Sequence, residues 1–101
     1  MKEKAGISEY TTAGGFTCRL NAKDLEDDME FFELVTQFDG GSPLALPPMV
    51  NIMFPDPEEK KRLYDACRGE NGRVSATAVA TTIKELFHAI GEAKKGDPLK
   101  N

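Results

Sequence analysis

The sequence predicts a mainly α fold: a small bundle of three to four helices with a short N-terminal strand or hairpin. Three observations lead there. Apolar residues at Val79, Ile83, Leu86, Phe87 and Ile90 recur at helical spacing. Helix-start signals stand at Asp24, at Asp56-Pro57 and at Ser75. A single segment, residues 16–20 (FTCRL), shows the alternation of a half-buried strand.

Residues 1–15 are polar and contain Gly14-Gly15, which predicts a flexible arm with an extended piece near Tyr10 to Thr12. One strand is not a sheet, so residues 16–20 need a partner, either residues 7–12 as a hairpin or a strand from another chain. Asp24 reads as the N-cap of the first helix, with Glu26, Asp27 and Asp28 in a first turn where the helix dipole favours negative charge. Leu25, Met29, Phe31, Phe32, Val35 and Phe38 make one broad apolar face on that helix. With Leu34 it covers roughly 200°, against roughly 100° for a plain surface helix. Glu26, Glu30, Glu33 and Gln37 lie opposite. Phe32 is thus expected in the core, where Asp would unfold the chain, and Glu30 at the surface, where Lys would not. Gly40-Gly41 ends the helix.

Residues 42–55 (SPLALPPMVNIMFP) carry four prolines and hold at most a short helix, with Pro48 in its first turn. Asp56 caps a third helix with Pro57 as its first residue, running to about Arg68. Leu63, Ala66 and Cys67 face inward there, Tyr64 sits at the edge, and Glu58 is placed to pair with Arg62. Ser75 caps the last helix, and Val74 and Val79 stand at the positions of a hydrophobic staple. The expected organisation is an arm (1–15), one helical domain (16–93) and a flexible polar tail (94–101).

Composition narrows the function. A chain of 101 residues is one domain at most. Its 40% hydrophobic and 30% charged residues suit a globular domain, not a disordered one. No apolar run reaches membrane-spanning length, and the first residues lack the apolar stretch of a secretory signal, so a cytoplasmic location is expected. The net charge is −4, and the one basic cluster, Lys60, Lys61 and Arg62, directly follows Glu58-Glu59. That argues against nucleic acid as a partner.

Little here could carry chemistry. Cys18 and Cys67 are too few for a zinc cluster and read as small buried side chains. Residues 67–78 resemble a calcium loop in outline around Gly72, but Cys67, Gly69 and Ala78 stand where oxygen ligands are needed. The sole histidine, His88, falls on the solvent side of the last helix beside Glu85 and Glu92. No cofactor, metal or catalytic set is expected. What remains is an acidic run at residues 24–33 and an apolar excess: Phe31, Phe32, Leu34, Phe38, Met49, Ile52, Met53 and Phe54. The plain reading of the excess is core. A chain this short does not easily cover all of it, so Glu26, Glu30, Phe31, Glu33, Leu34, Phe38, Met49, Met53 and Phe54 are the candidate partner-binding residues.

The order of segments carries a resemblance. A strand leads into an acidic helix (FTCRLNAKDLEDDMEFFELVTQF), then a proline-punctuated apolar link (SPLALPPMVNIMF) and a helix (EEKKRLYDACR). A Gly-Arg-Val turn (ENGRVS) opens an amphipathic helix (TAVATTIKELFHAI), and a Lys-rich tail follows. Over residues 16–95 this resembles the tail assembly chaperones of long-tailed bacteriophages and prophages of Gram-positive hosts. The resemblance implies a mostly helical, non-enzymatic protein of the bacterial cytoplasm. It would bind the long helical tape-measure protein while tail-tube subunits assemble, and a longer product would arise by frameshifting near Lys94-Lys95. The family has no catalytic residues to carry over. The alternative is a small acidic adaptor or anti-repressor that binds a basic regulatory partner. Self-association is left open.

Overall fold

Residues 6–95 are described by the computed structural model; the rest of the predicted arm (1–5) and tail (96–101) lies outside them. Among the described residues the chain is mostly helical, with five α-helices and one antiparallel hairpin. The hairpin joins β1 (Ile7–Thr11) to β2 (Thr17–Asn21). Its loop explains the paired glycines. The Thr12 N–H donates to the Phe16 carbonyl at 2.8 Å, and the Gly15 N–H donates to the Thr12 carbonyl at 2.9 Å. Gly15 has φ +97°, a left-handed conformation that costs glycine nothing. This is a three-residue hairpin loop, a tight turn closed by a left-handed glycine. The partner expected at residues 7–12 is therefore present. The expectation of a flexible arm is corrected for residues 7–15: Gly14-Gly15 makes a turn, not a loose tether.

The Thr11 and Thr17 hydroxyls, 3.0 Å apart, fix the register. Thr11 stands opposite Thr17, Tyr10 opposite Cys18 and Glu9 opposite Arg19. Thr12, Cys18 and Leu20 are buried on one face, while Glu9, Thr11 and Arg19 are exposed on the other.

The chain divides into two units. Leu20–Arg62 belongs to the first, with residues 6–8. It contains α1 (Ala22–Glu26) and α2 (Met29–Asp39). The sequence predicted one helix capped by Asp24, and the structure corrects this. Asn21 caps α1 by accepting from the Asp24 N–H at 3.1 Å, and Asp28 caps α2 by accepting from the Phe31 N–H at 3.1 Å. Asp28 has extended backbone (φ −105°, ψ 110°), and its short carboxylate replaces the helical bond it interrupts. The end of α2 is as expected. Gly41 is left-handed (φ +95°), its N–H donates to the Phe38 carbonyl, and the Ser42 N–H donates to the Gln37 carbonyl, both at 3.0 Å.

A 3-10 turn (Pro43–Ala45) and α3 (Leu46–Met53) follow and pack against α2. Prolines occupy the first turn of α3, where their missing N–H costs nothing. Leu46, Met49, Val50, Met53 and Phe54 are buried, so the proline-punctuated link is a core element. α4 (Pro57–Ala66) opens as predicted, the Asp56 carboxylate accepting from the Glu58 N–H at 3.0 Å. Its ion pair joins Arg62 to Glu59 at 2.7 Å, not to Glu58. Leu63 and Cys67 are buried as expected, but Ala66 is exposed.

The second unit takes Glu9–Arg19 and residues 63–95. After α4, Arg68 and Val74 form an isolated antiparallel bridge around a turn in which Gly72 has φ +81°. Ser75 caps α5 (Ala76–Lys95) by accepting from the Ala78 N–H at 3.1 Å. Val79, Ile83, Leu86 and Ile90 are its buried stripe, with Phe87 half-buried beside it. α5 continues through Lys94 and Lys95, so the tail predicted from residue 94 begins as helix.

Candidate interaction surface

The surface apolar residues of the first unit concentrate on and after α2. Phe31 is only 6% exposed, yet its neighbour Phe32 is 59% exposed and Met29 is 63% exposed. Successive helical residues point about 100° apart, so a helix covered along one side buries Phe31 and turns Phe32 toward its flank. The face of α2 turned inward centres on Phe31 with Leu34, Val35 and Phe38 at its margins, the last three half-buried. Phe32 was expected on that face and is not there. Met29 and Phe32, three residues apart, are neighbours on the helix surface. Leu44, in the 3-10 turn, is 83% exposed.

A groove of about 410 Å³ runs between α2 and α3, and neither Met29 nor Phe32 lines it. Glu30, Glu33, Leu34 and Gln37 line one side, and Pro48, Asn51 and Ile52 the other. The electrostatics are one-sided. Between Lys23 and Lys60 the chain carries ten carboxylates and no lysine, arginine or histidine. The last turn of α2 has no basic residue and ends instead on Asp39. A carboxylate at a helix C-terminus opposes the dipole, so a cation supplied from outside is favoured there.

The candidate residues from the sequence separate cleanly. Glu26, Glu30 and Glu33 are exposed, and Leu34 and Phe38 are half-buried. Phe31, Met49, Met53 and Phe54 are buried, Met49 completely, and their assignment to a binding surface is corrected. They supply packing contacts that a partner cannot reach. Phe32 and Ile52 of the same apolar set reach the surface, and Met29 and Leu44 were missed. A residue set apolar around most of a helix shows that something is left over, not which residue.

Among the described residues no group of three His, Cys, Asp or Glu side chains could hold a metal ion. The Gly72 turn is occupied by its own contacts: the Arg68 guanidinium donates to the Gly72 carbonyl at 2.7 Å, and the Asn71 side chain accepts from the Arg73 N–H at 2.9 Å. Cys18 and Cys67 are buried thiols that form no disulfide. His88 is exposed, with Nε2 3.9 Å from the Glu92 carboxylate as its position on the helix predicted. Glu85, the other expected neighbour, accepts from the Gly14 N–H at 3.1 Å. No helix among the described residues is long and apolar enough to cross a membrane. The chain matches no model of a known protein family, no curated protein and no solved structure.

Proposed function

We propose that this protein is a non-enzymatic assembly chaperone of the phage-tail type, acting in the bacterial cytoplasm by holding a long helical tape-measure protein as tail-tube subunits assemble. The observation that carries this reading is the Met29–Phe32 pair, exposed on an α2 that carries no basic side chain. An aromatic and a methionine adapt to varied apolar surfaces, and helix-in-groove recognition uses such anchors one turn apart. The surrounding carboxylates steer a cationic segment in and raise its encounter rate. The resemblance across residues 16–95 names the partner class.

The test is binding of the purified protein to helical segments of a tape-measure protein encoded beside it. Binding that falls in a Met29→Asp, Phe32→Asp double variant with an unchanged melt supports the reading. Equal binding by wild type and variant, or a gene neighbourhood without tail genes, overturns it. The ten-carboxylate stretch favours a second reading, an acidic adaptor or anti-repressor for a basic regulator. That mode would be strongly salt-dependent and insensitive to Phe32→Ser, whereas an apolar anchor gives the opposite pattern.

A further inference from the structure

We infer that the outer edge of β1 is a strand-addition site for an extended, lysine- or arginine-bearing segment of another polypeptide. Independently of α2 and its proposed partner, this follows from the hairpin register and a groove in the second unit. Thr12 bonds to Phe16 across the hairpin, so Tyr10, two residues earlier, also turns its backbone groups toward β2. Glu9 and Thr11 then turn their N–H and C=O groups outward. The sheet has two strands only, and no backbone bond among the described residues reaches that outer edge. Such a row of unpaired groups is a template for another strand.

Next to this edge lies a groove of about 770 Å³, lined by residues 9–13 and by one face of α5 from Thr81 to Ala93. No β2 residue lines it, which places it on the β1 side of the hairpin. That face of α5 is about 18 Å long, the span of a five-residue strand. The Gly14 N–H bonded to Glu85 ties the hairpin loop to α5, so the groove has two walls held to each other. Glu9, Glu85 and Glu92 outnumber Lys84 along it, which selects a cationic occupant. A second copy is disfavoured, because two-fold antiparallel pairing about the centre of β1 sets Glu9 against the copy's Glu9.

The experiment titrates the nitrogen-15-labelled full chain with a short acetylated peptide alternating lysine and valine. Amide shifts are expected at Glu9, Thr11, His88 and Ala89, saturating at millimolar peptide or below. Glu9→Pro removes one outward N–H and keeps every bond to β2; it should weaken binding about tenfold, the order of one backbone hydrogen bond with its charge. Glu9→Gln keeps the N–H and should weaken it only about threefold. Hydrogen exchange on the unaltered protein gives a readout free of folding effects: the Glu9 and Thr11 amides should exchange faster than Tyr10 and Thr12, and slow when peptide is added. Equal protection of all four in the free protein, absence of shifts at millimolar peptide, or shifts confined to α2 overturns the inference. So does a dimer that Glu9→Pro dissociates, which would make the occupant a second copy.

Discussion

Adjacent phenylalanines with opposite environments offer the sharpest test of how α2 is set. Phe31 is 6% exposed and Phe32 59% exposed. Fully burying a phenylalanine stabilises by about 1.5–3 kcal/mol, so Phe32, less than half removed from water, contributes about 1 kcal/mol. Phe31 contributes nearly the whole term, and its truncation also leaves a cavity; Phe→Ala in a packed core costs about 3–5 kcal/mol. For a domain of this size 1 kcal/mol moves the melting temperature by about 4–8 °C. Phe31→Ala should therefore lower Tm by about 12 °C or more, and Phe32→Ala by less than about 8 °C. Thermal and urea melts followed by circular dichroism measure both. Phe32→Asp extends the test: an exposed site accepts the carboxylate, so the variant should fold, where a core site would not. A Phe32→Ala loss equal to that of Phe31→Ala, or an unfolded Phe32→Asp, would refute this placement of α2 and restore the face expected from the sequence.

Backbone positions give a second pair. Gly72→Ala forces a Cβ into a left-handed conformation and should destabilise by about 1–2 kcal/mol, whereas Gly91→Ala within α5, where an added Cβ meets nothing within 4 Å, should stabilise by about 0.5–1 kcal/mol; denaturant melts of the two should move in opposite directions. Asp28→Ala removes the α2 cap and should cost about 1 kcal/mol, with Phe31 amide exchange accelerated; Asp24→Ala, which caps nothing, should cost less than about 0.5 kcal/mol. Glu85→Ala removes the acceptor of the Gly14 N–H and should speed Gly14 exchange while leaving the melt within about 1 kcal/mol of wild type.

Local signals in the sequence were legible where one residue type has one use. Ser75 and Asp56 cap the helices they were read to cap, and the Val79, Ile83, Leu86 and Ile90 stripe is buried. The hairpin partner was legible too, although Gly14-Gly15 read as flexibility, because glycine serves loose tethers and left-handed turns alike. The break between α1 and α2 was hidden by plenty: Asp24, Asp27 and Asp28 all suit a cap, and sequence alone does not rank them. The binding surface was hidden for a related reason. Helical spacing shows that Phe31, Phe32, Leu34, Val35 and Phe38 exceed one face, but α3 decides which of them are covered, and α3 comes from a link that four prolines made look irregular.

The charge distribution bears on how an exposed apolar pair is kept available. Met29 and Phe32 on a neutral helix would favour contact with the same pair on another copy. Here each copy would bring its own α2 carboxylates to that contact, with no lysine or arginine between Lys23 and Lys60 to offset them. Like charges brought together across an interface oppose association, and desolvation raises the cost as the faces close. A cationic helix meets the reverse: its approach relieves the repulsion within α2, and its charge complements the carboxylate at the α2 C-terminus. The same residues thus disfavour the copy and favour the partner, so specificity arises from repulsion as much as from fit. High salt weakens both terms. The proposed chaperone should therefore self-associate more as ionic strength rises, while its affinity for a cationic helix falls. Sedimentation velocity and a parallel binding titration across a salt series would follow the two together. If self-association and partner affinity fell together, the carboxylates would not be what separates the copy from the partner.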